Sequence, residues 1–305
     1  FLHEKLTTFT EKFISRFVSA YRKSYSSNHV LIRLIEEWKK LLDDKNFVGT
    51  VLMDLSKAFD CIPHDLLVAK LSAYGFSKNS VVFFYSYLKQ RKQWVKINDT
   101  ESYQKCLKSG VPQGSILGPI LFNIFINDLF LFIEEAELAN FADDNTIYAG
   151  NKDLPVLLEL LERESNIAIK WFTENNMIIN PEKFQTMILG LGKNDDEKYY
   201  LKTDGKNIET KKEVTLLGIE IDMKLNFDNH VSTICKKASN KLNTLSRIRL
   251  FLGEKEKEIM INTFMYSNFN YGSLIWHFTS WNSQKKIERL QQRCLTLYRS
   301  GFLDL

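Results

Sequence analysis

Two adjacent aspartates, Asp143 and Asp144, lie between short apolar runs in the segment NFADDNTIYAG, residues 140–150. Neighbouring carboxylates repel each other, and burial makes it still more costly to ionise both. One interpretation is an ordinary hairpin turn, because Asp and Asn bond their own backbone in turns. The other is a divalent cation site at the rim of a sheet, since Mg²⁺ is commonly held by one or two carboxylates and substrate phosphates. The second interpretation requires another acidic side chain from elsewhere in the chain.

A third carboxylate stands near the end of the apolar run FVGTVLMDL, residues 47–55, which predicts a buried strand ending in Asp54. Asp54 could instead simply cap a following helix. Between this strand and the aspartate pair, the loop SGVPQGS places Gln113 at the mouth of a predicted helix, whose N-terminus attracts anions. Asp54 and Asp143, with Asp144 assisting, could hold two divalent ions, and such a pair indicates in-line nucleotidyl transfer.

The chain carries the patterns of the sheet and helices that must position these residues. Short apolar runs predict further strands at residues 177–179, 184–189, 199–203 and 214–222. Residues 93–109 predict a hairpin that turns at Asn98 and Asp99. The stretch 115–133 is apolar enough to raise the question of a membrane span, but two asparagines and an aspartate in its middle favour a buried helix. We therefore expect a mixed α+β body.

Helical patterns dominate the C-terminal part. An apolar stripe from Val231 to Ile248 predicts one helix, and two more are predicted near 254–268 and 282–300; a separate helix is predicted from about 29 to 42. The region from His230 to Leu305 contains twelve Lys and Arg residues and five acidic residues, which gives it a net charge of +7. The rest of the chain carries −3, and the whole chain +4. The asymmetry favours a polyanion partner, although a solvated helix face would carry the same charges.

Length and composition narrow the class of protein. A chain of 305 residues with 26% charged residues suggests an ordinary globular protein of about two domains. The four cysteines form no CxxC pair, which argues against a zinc site or a disulfide framework and favours a reducing intracellular compartment. Because the chain begins at Phe1 within a helical pattern, we expect it to be a piece of a longer protein.

Several ordered motifs resemble the reverse transcriptase domain of non-LTR (LINE-like) retrotransposons, most closely the jockey-like group. They are MDLSKAFDCIPHDLL, SGVPQGSILGPILFNIFINDL, FADDNTIY, NPEKFQTMIL and VTLLGIEID, and the segment AYRKSYSSNHVL is similar to the fingers of that family. The resemblance implies a right-hand polymerase fold. Its fingers and palm would occupy residues 1–225, without the N-terminal fingers hairpin of the family. An antiparallel sheet in the palm would carry the aspartates, with helices packed behind it. A basic helical thumb and the segment after it would occupy residues 226–305.

The resemblance also implies roles for individual residues. Two Mg²⁺ ions, or Mn²⁺, would be held by Asp54, Asp143 and Asp144, with the Leu55 carbonyl joining the metal shell. Phe59 would be a steric gate against the 2′-hydroxyl, and Gln113 would contact the incoming nucleotide. Lys183 would protonate the departing pyrophosphate, and Arg22 would contact the triphosphate or template. Phe59 could instead be a core side chain, and Lys183 an ordinary surface lysine.

The function that the resemblance implies is RNA-directed DNA polymerisation, in which element RNA is copied into DNA from a nicked-target primer. The partners would be an RNA template, a DNA primer or target, dNTPs and the rest of a longer polyprotein that commonly includes an endonuclease domain. No membrane is implied, and the family is expected in the nucleus and cytoplasm. The alternatives are a catalytically incompetent fragment that only binds nucleic acid and, ranked last, a Mg²⁺-dependent phosphohydrolase.

Overall fold

The computed structural model describes residues 1–192, 197–277 and 279–299. The chain divides into two compact units, one made of Phe1–Val30 and Leu41–Thr210, the other of Leu31–Lys40 and the described residues from Lys211 onward. The boundary expected after residue 225 therefore falls inside the second unit. The functional division into fingers, palm and thumb stays a prediction.

A five-stranded antiparallel sheet organises the first unit. Its bounds are β1 (Phe47–Ser56), β6 (Glu137–Phe141), β7 (Asp144–Asn151), β8 (Ile178–Ile179) and β9 (Gln185–Leu189). The central strand is β1, which pairs with β7 along one edge and with β8 and β9 along the other, while β6 pairs with the far side of β7. The predicted strands at 47–55, 177–179 and 184–189 are confirmed to within a residue or two.

Helix α7 (Leu154–Glu174) packs on this sheet against β1 and β7. Asp153 caps its N-terminus, because the Asp153 carboxylate accepts a hydrogen bond from the Val156 N–H at 3.2 Å. A side chain at Gly49 of β1 would collide with Leu161 of α7, so glycine permits the close approach of helix and sheet. The helix is amphipathic, and its apolar face completes the core of the first unit.

Six further helices belong wholly or partly to this unit: α1 (Leu2–Thr10), α2 (Ser27–Asp43), α3 (Ala58–Cys61), α4 (His64–Ala73), α5 (Lys78–Leu88) and α6 (Gly118–Ile126). Helix α6 is buried on all sides and continues as a 3₁₀ turn, Asn127–Leu131, which confirms the predicted buried helix. Within the described residues, no helix is both long and apolar enough to cross a membrane.

Two hairpins complete the strands of the first unit; one is exposed and the other packs on α7. The predicted hairpin at 93–109 is confirmed as two short ladders, in which β2 (Lys92–Gln93) pairs with β5 (Lys105–Cys106) and β3 (Lys96–Ile97) pairs with β4 (Thr100–Glu101). The strand predicted at 199–203 is confirmed as β10 (Tyr200–Thr203), which pairs with β11 (Lys206–Glu209).

The second unit combines one hairpin with helices. The strand predicted at 214–222 is two strands, β12 (Glu213–Leu216) and β13 (Ile219–Asp222), because the left-handed pair Leu217-Gly218 turns the chain between them. The helices are α8 (Asp228–Ile248), α9 (Glu254–Ile261), α10 (Ser267–Asn270), α11 (Ser273–Trp276) and α12 (Trp281–Arg299), with a π-helical segment joining α9 to α10. The apolar stripe of α8 is buried except for its last member, and its Lys and Arg are exposed. The predicted end of α12 at Ser300 lies outside the described residues.

Candidate active site

Three aspartates meet at one end of the sheet. Asp54 in β1 and Asp144 at the start of β7 are direct partners in the antiparallel register, and Asp143 precedes Asp144 in the turn after β6. The backbone of Ala142 in this turn is left-handed, with φ of 57°. The structure thus brings Asp54, Asp143 and Asp144 together, and we call them the aspartate cluster.

Buried amides hold the turn that carries Asp143. The Asn140 Nδ2 group donates to the Ala142 carbonyl at 2.7 Å and to Asn145 Oδ1 at 3.0 Å, while Asn145 Nδ2 donates to the Asp143 carbonyl at 3.0 Å. Both asparagines are almost completely buried. Buried hydrogen bonds fix local geometry, so the donated bonds of this amide pair hold the backbone of the aspartate cluster in place.

The N-terminal segment also docks at this turn. The Asn140 N–H donates to the Phe17 carbonyl at 3.1 Å, and the Ser19 N–H donates back to the Asn140 carbonyl at 3.0 Å. This pairing covers the free edge of β6 and directs the next residues of the segment, including Tyr21, toward the aspartate cluster.

Within the cluster, the pKa of Asp144 is shifted. Burial, followed by repulsion from Asp143 and Asp54, raises the pKa of Asp144 to about 6. Lys183 Nζ lies 4.0 Å from Asp54 Oδ2, at the outer limit of an ion pair. The cluster therefore carries more negative charge than its neighbours offset, and its hard oxygen donors suit Mg²⁺ or Mn²⁺.

Among the described residues, no three His, Cys, Asp or Glu side chains form a group that could hold a metal ion as they stand. The charge and donor chemistry of the aspartate cluster nevertheless fit a divalent cation.

The raised pKa predicts how stability depends on pH. Because the folded pKa of about 6 exceeds the ordinary value of 3.8, the folded chain binds more protons between these values, and stability falls as pH rises through about 6. In EDTA, Asp144→Asn should remove this fall. We expect the variant to be more stable at pH 7.5 by about 1–2 kcal/mol, because partial exposure screens the repulsion.

Thermal melts followed by circular dichroism between pH 4 and 8 measure this effect. Asp99→Asn, in the exposed turn of the β3–β4 hairpin, is the matched control and should follow the wild-type curve. Equal pH dependence in wild type and Asp144→Asn would contradict the prediction.

A cavity of about 480 Å³, which we call the first cavity, opens beside the aspartate cluster. Its wall includes Tyr21, Phe59, Gln113 and Asp143. The Phe59 ring stacks on Phe122 with 4.6 Å between centroids and meets the Tyr21 ring edge-on at 5.9 Å. Phe59 is therefore both a packed aromatic and a wall of the first cavity, so the two interpretations of this residue are compatible.

The model of the reverse transcriptase (RNA-dependent DNA polymerase) family matches residues 2–221, which is most of the chain. This chain belongs to the reverse transcriptase family. Two relatives from Drosophila melanogaster are the probable RNA-directed DNA polymerase from transposon BS and the RNA-directed DNA polymerase from mobile element jockey. They are 25% and 24% identical over 90% and 93% of this chain, which confirms the predicted resemblance to jockey-like elements. The chain spans only 31% and 32% of the lengths of these two relatives.

Solved structures agree on the fold. Telomerase from Candida tropicalis matches with a TM-score of 0.52 at 14% identity, over 99% of this chain and 50% of that chain. A form of the same telomerase truncated from its C-terminal domain matches with a TM-score of 0.51 at 15% identity, over 73% of this chain and 43% of that chain. These matches establish the right-hand polymerase fold, as predicted.

Two residues of this chain with roles implied by the family lie near the aspartate cluster without lining the first cavity. Leu55 is buried in β1 opposite Ile179 of β8. Lys183 ends the 3₁₀ turn Pro181–Lys183, and its side chain is 58% exposed. Asn180 caps that turn, because its Oδ1 accepts from the Glu182 N–H at 3.1 Å. Lys183 therefore keeps the mobility of a surface lysine while reaching toward Asp54.

Arg22 lies in a different environment from the one that the family resemblance suggests. Its guanidinium pairs with the Glu11 carboxylate and donates to the Ser15 and Val18 carbonyls at 2.7 Å each, and its side chain is only 7% exposed. Since these bonds use most of its N–H groups, Arg22 braces the N-terminal segment and does not face the first cavity. Contact of Arg22 with a triphosphate or template stays a prediction, which would require these bonds to be exchanged.

Tyr21, the residue next to it, is the site residue that sequence reasoning missed. Tyr21 has φ of 61° and lines the first cavity. Burial, followed by repulsion from Asp143, raises the pKa of Tyr21, so its hydroxyl stays protonated. The aromatic residue immediately before Arg22 in AYRK was the available signal.

Proposed function

We propose that this chain is the RNA-directed DNA polymerase core of a non-LTR retrotransposon protein, and that it adds dNTPs to a primer 3′-hydroxyl. One observation carries the proposal: Asp54, Asp143 and Asp144 meet at a sheet end beside the first cavity, whose wall includes Phe59 and Gln113. Membership of the reverse transcriptase family and the names of the jockey and BS relatives support the same chemistry.

Each residue would have a definite task. Asp54 and Asp143, assisted by Asp144, would hold Mg²⁺ or Mn²⁺, with the Leu55 carbonyl nearby. Such ions, when bound, supply positive charge to the attacking and leaving oxygens. The Phe59 ring would exclude a 2′-hydroxyl from the first cavity. Lys183, at the edge of the aspartate cluster, would hold a proton for the departing pyrophosphate.

A second cavity supports binding of a template strand. Its volume is about 640 Å³, its wall includes Arg91, Lys92 and Lys108, and it shares Pro112 and Gln113 with the first cavity. The hairpin around it, residues 89–108, has six basic and two acidic residues. Phosphates of a single strand suit such a basic groove, because nucleic-acid affinity comes largely from counterion release.

The contribution of this cavity to template binding can be measured by salt dependence. Arg91→Gln/Lys108→Gln should reduce the slope of log affinity against log salt by about two for a primer–template with a single-stranded RNA overhang, since each lost phosphate contact removes about one. Lys78→Gln, a similar loss of charge at an exposed position of α5, should leave the slope unchanged. An unchanged slope in the double variant would contradict binding in the second cavity.

Primer extension on an RNA template with dNTPs and Mg²⁺ tests the polymerase proposal directly. Extension that EDTA abolishes is the expected result. A second candidate function is nucleic-acid binding without catalysis, which the basic wall of the second cavity favours. Salt-sensitive duplex binding without extension would support that second candidate and contradict the first.

The wider setting is part of the proposal. A relative from Bradysia coprophila, named as the Pol polyprotein of retrotransposable element R1, is 26% identical over 84% of this chain, and this chain spans 26% of it. We infer that the chain acts within a longer polyprotein alongside an endonuclease, on element RNA and a nicked DNA target. Its place would be the nucleus and cytoplasm, with no membrane partner.

A further inference from the structure

Two segments that lie between β1 and helix α6 in the chain are hydrogen-bonded to each other over their whole length. The first spans residues 59–64 and the second residues 109–113. Five hydrogen bonds join them: Val111 N–H to the Phe59 carbonyl at 2.8 Å, Gly110 N–H to the Ile62 carbonyl at 2.8 Å, His64 Nε2 with the Gly110 carbonyl at 2.8 Å, Ser109 Oγ to the Asp60 carbonyl at 3.0 Å, and Gln113 Nε2 to Asp60 Oδ1 at 2.9 Å.

The last of these bonds differs from the others because it fixes a side chain of the first cavity. A carboxylate accepts hydrogen bonds but does not donate them, so Asp60 can bond only the NH₂ end of the Gln113 amide. The other end, Oε1, is left without a hydrogen-bond donor among the described residues. Asp60 therefore selects one of two amide orientations that would otherwise be nearly equivalent in shape.

The bond also lies where it contributes little to stability. Asp60 and Gln113 are both exposed, and a hydrogen bond between exposed groups replaces bonds to water. The backbone bonds from Gly110 and Val111 already tie the loop to the first segment. A purely structural role would thus leave the Asp60–Gln113 bond redundant.

We propose that Asp60 is a positioning residue for the incoming nucleotide. By holding the NH₂ group of Gln113, Asp60 makes the amide present its Oε1 acceptor to a hydrogen-bond donor of a dNTP in the first cavity. The inference rests on the proposed polymerase function, and it assigns to Asp60 the orientation of Gln113 rather than any contact with the nucleotide.

Asp60→Asn tests orientation separately from bonding. The introduced asparagine can bond Gln113 in either amide orientation, because an amide side chain both donates and accepts. The KM for dNTP should rise roughly 3- to 10-fold, as expected for one hydrogen bond, while kcat stays within about twofold. A residue that merely anchored the loop would tolerate this substitution.

The exchanged pair gives a sharper test. In Gln113→Glu, two carboxylates face each other, and KM should rise further. In Asp60→Asn/Gln113→Glu, the NH₂ group of the introduced asparagine can donate to the introduced glutamate, which restores both the bond and a presented acceptor oxygen. The double variant should therefore have a lower KM than Gln113→Glu alone.

The control is Asp65→Asn, which makes the same chemical change at an exposed position in the first turn of α4, outside both cavities; its KM should match wild type. An unchanged KM in Asp60→Asn, an additive double variant, or an equal rise in Asp65→Asn would each overturn the proposal. If wild type extends no primer, the polymerase proposal fails by itself. The Kd for dNTP is then measured for the same variants. If the variants do not rank in Kd as predicted for KM, the role of Asp60 is overturned.

Discussion

Asp143→Asn is expected to reduce single-nucleotide primer extension by roughly a thousandfold, because removing one carboxylate from a divalent metal site costs several kcal/mol of transition-state stabilisation. The backbone of this residue is held by the Asn140–Asn145 amide pair, which the substitution does not touch. Asp54→Asn should have an effect of similar size. Affinity for a primer–template duplex should stay near wild type, since neither residue lines the second cavity.

Rates of extension on an RNA template, measured with saturating dNTP and Mg²⁺, check this expectation. The matched control is Asp204→Asn, which makes the same chemical change in the exposed turn between β10 and β11, where φ is 51° and Asn is well tolerated. Extension within tenfold of wild type by Asp143→Asn would show that the aspartate cluster is not the reaction centre.

Lys70→Ala is expected to lower the free energy of unfolding by about 3 kcal/mol, near the lower end for a broken buried ion pair. Lys70 Nζ donates to Asp128 Oδ1 at 2.7 Å and to the Phe125 carbonyl at 2.9 Å. It also lies over the rings of Phe125 and Trp171, at 4.3 and 4.5 Å. The substitution would leave a half-buried carboxylate and a carbonyl without their donor, in the core between α4 and α6.

Urea denaturation followed by circular dichroism measures the loss. Lys170→Ala provides the contrast, because Lys170 is 76% exposed and forms only a 3.9 Å helical pair with Glu174, which contributes little. Its effect should stay within about 0.5 kcal/mol of wild type. Equal destabilisation by the two substitutions would mean that the buried pair adds nothing beyond a surface contact.

Patterns with short-range physical causes could be predicted from the sequence. The apolar run before Asp54, the turn chemistry of the Asp143–Asp144 hairpin and the stripe of α8 each depend on neighbours in the chain, and each element is present in the structure. The family motifs then indicated that Asp54 and the aspartate pair would meet.

Long-range hydrogen bonds could not be predicted in the same way. The sequence contains no local signal that Arg22 would be taken up by Glu11, or that Asp60 would bond Gln113 across more than fifty residues. The left-handed backbone at Tyr21 likewise depends on how the N-terminal segment docks. Side-chain orientation at the site is thus set by tertiary contacts that local patterns do not encode.

The docking of residues 17–19 on Asn140 has a consequence for how the protein is made. Strand β6 is at the edge of the sheet, and an uncovered edge invites pairing with other chains. The segment that shields this edge is synthesised more than a hundred residues before it and must wait for β6 to emerge. Because the same segment places Tyr21 in the wall of the first cavity, we expect the docking that shields the edge of β6 also to complete that wall.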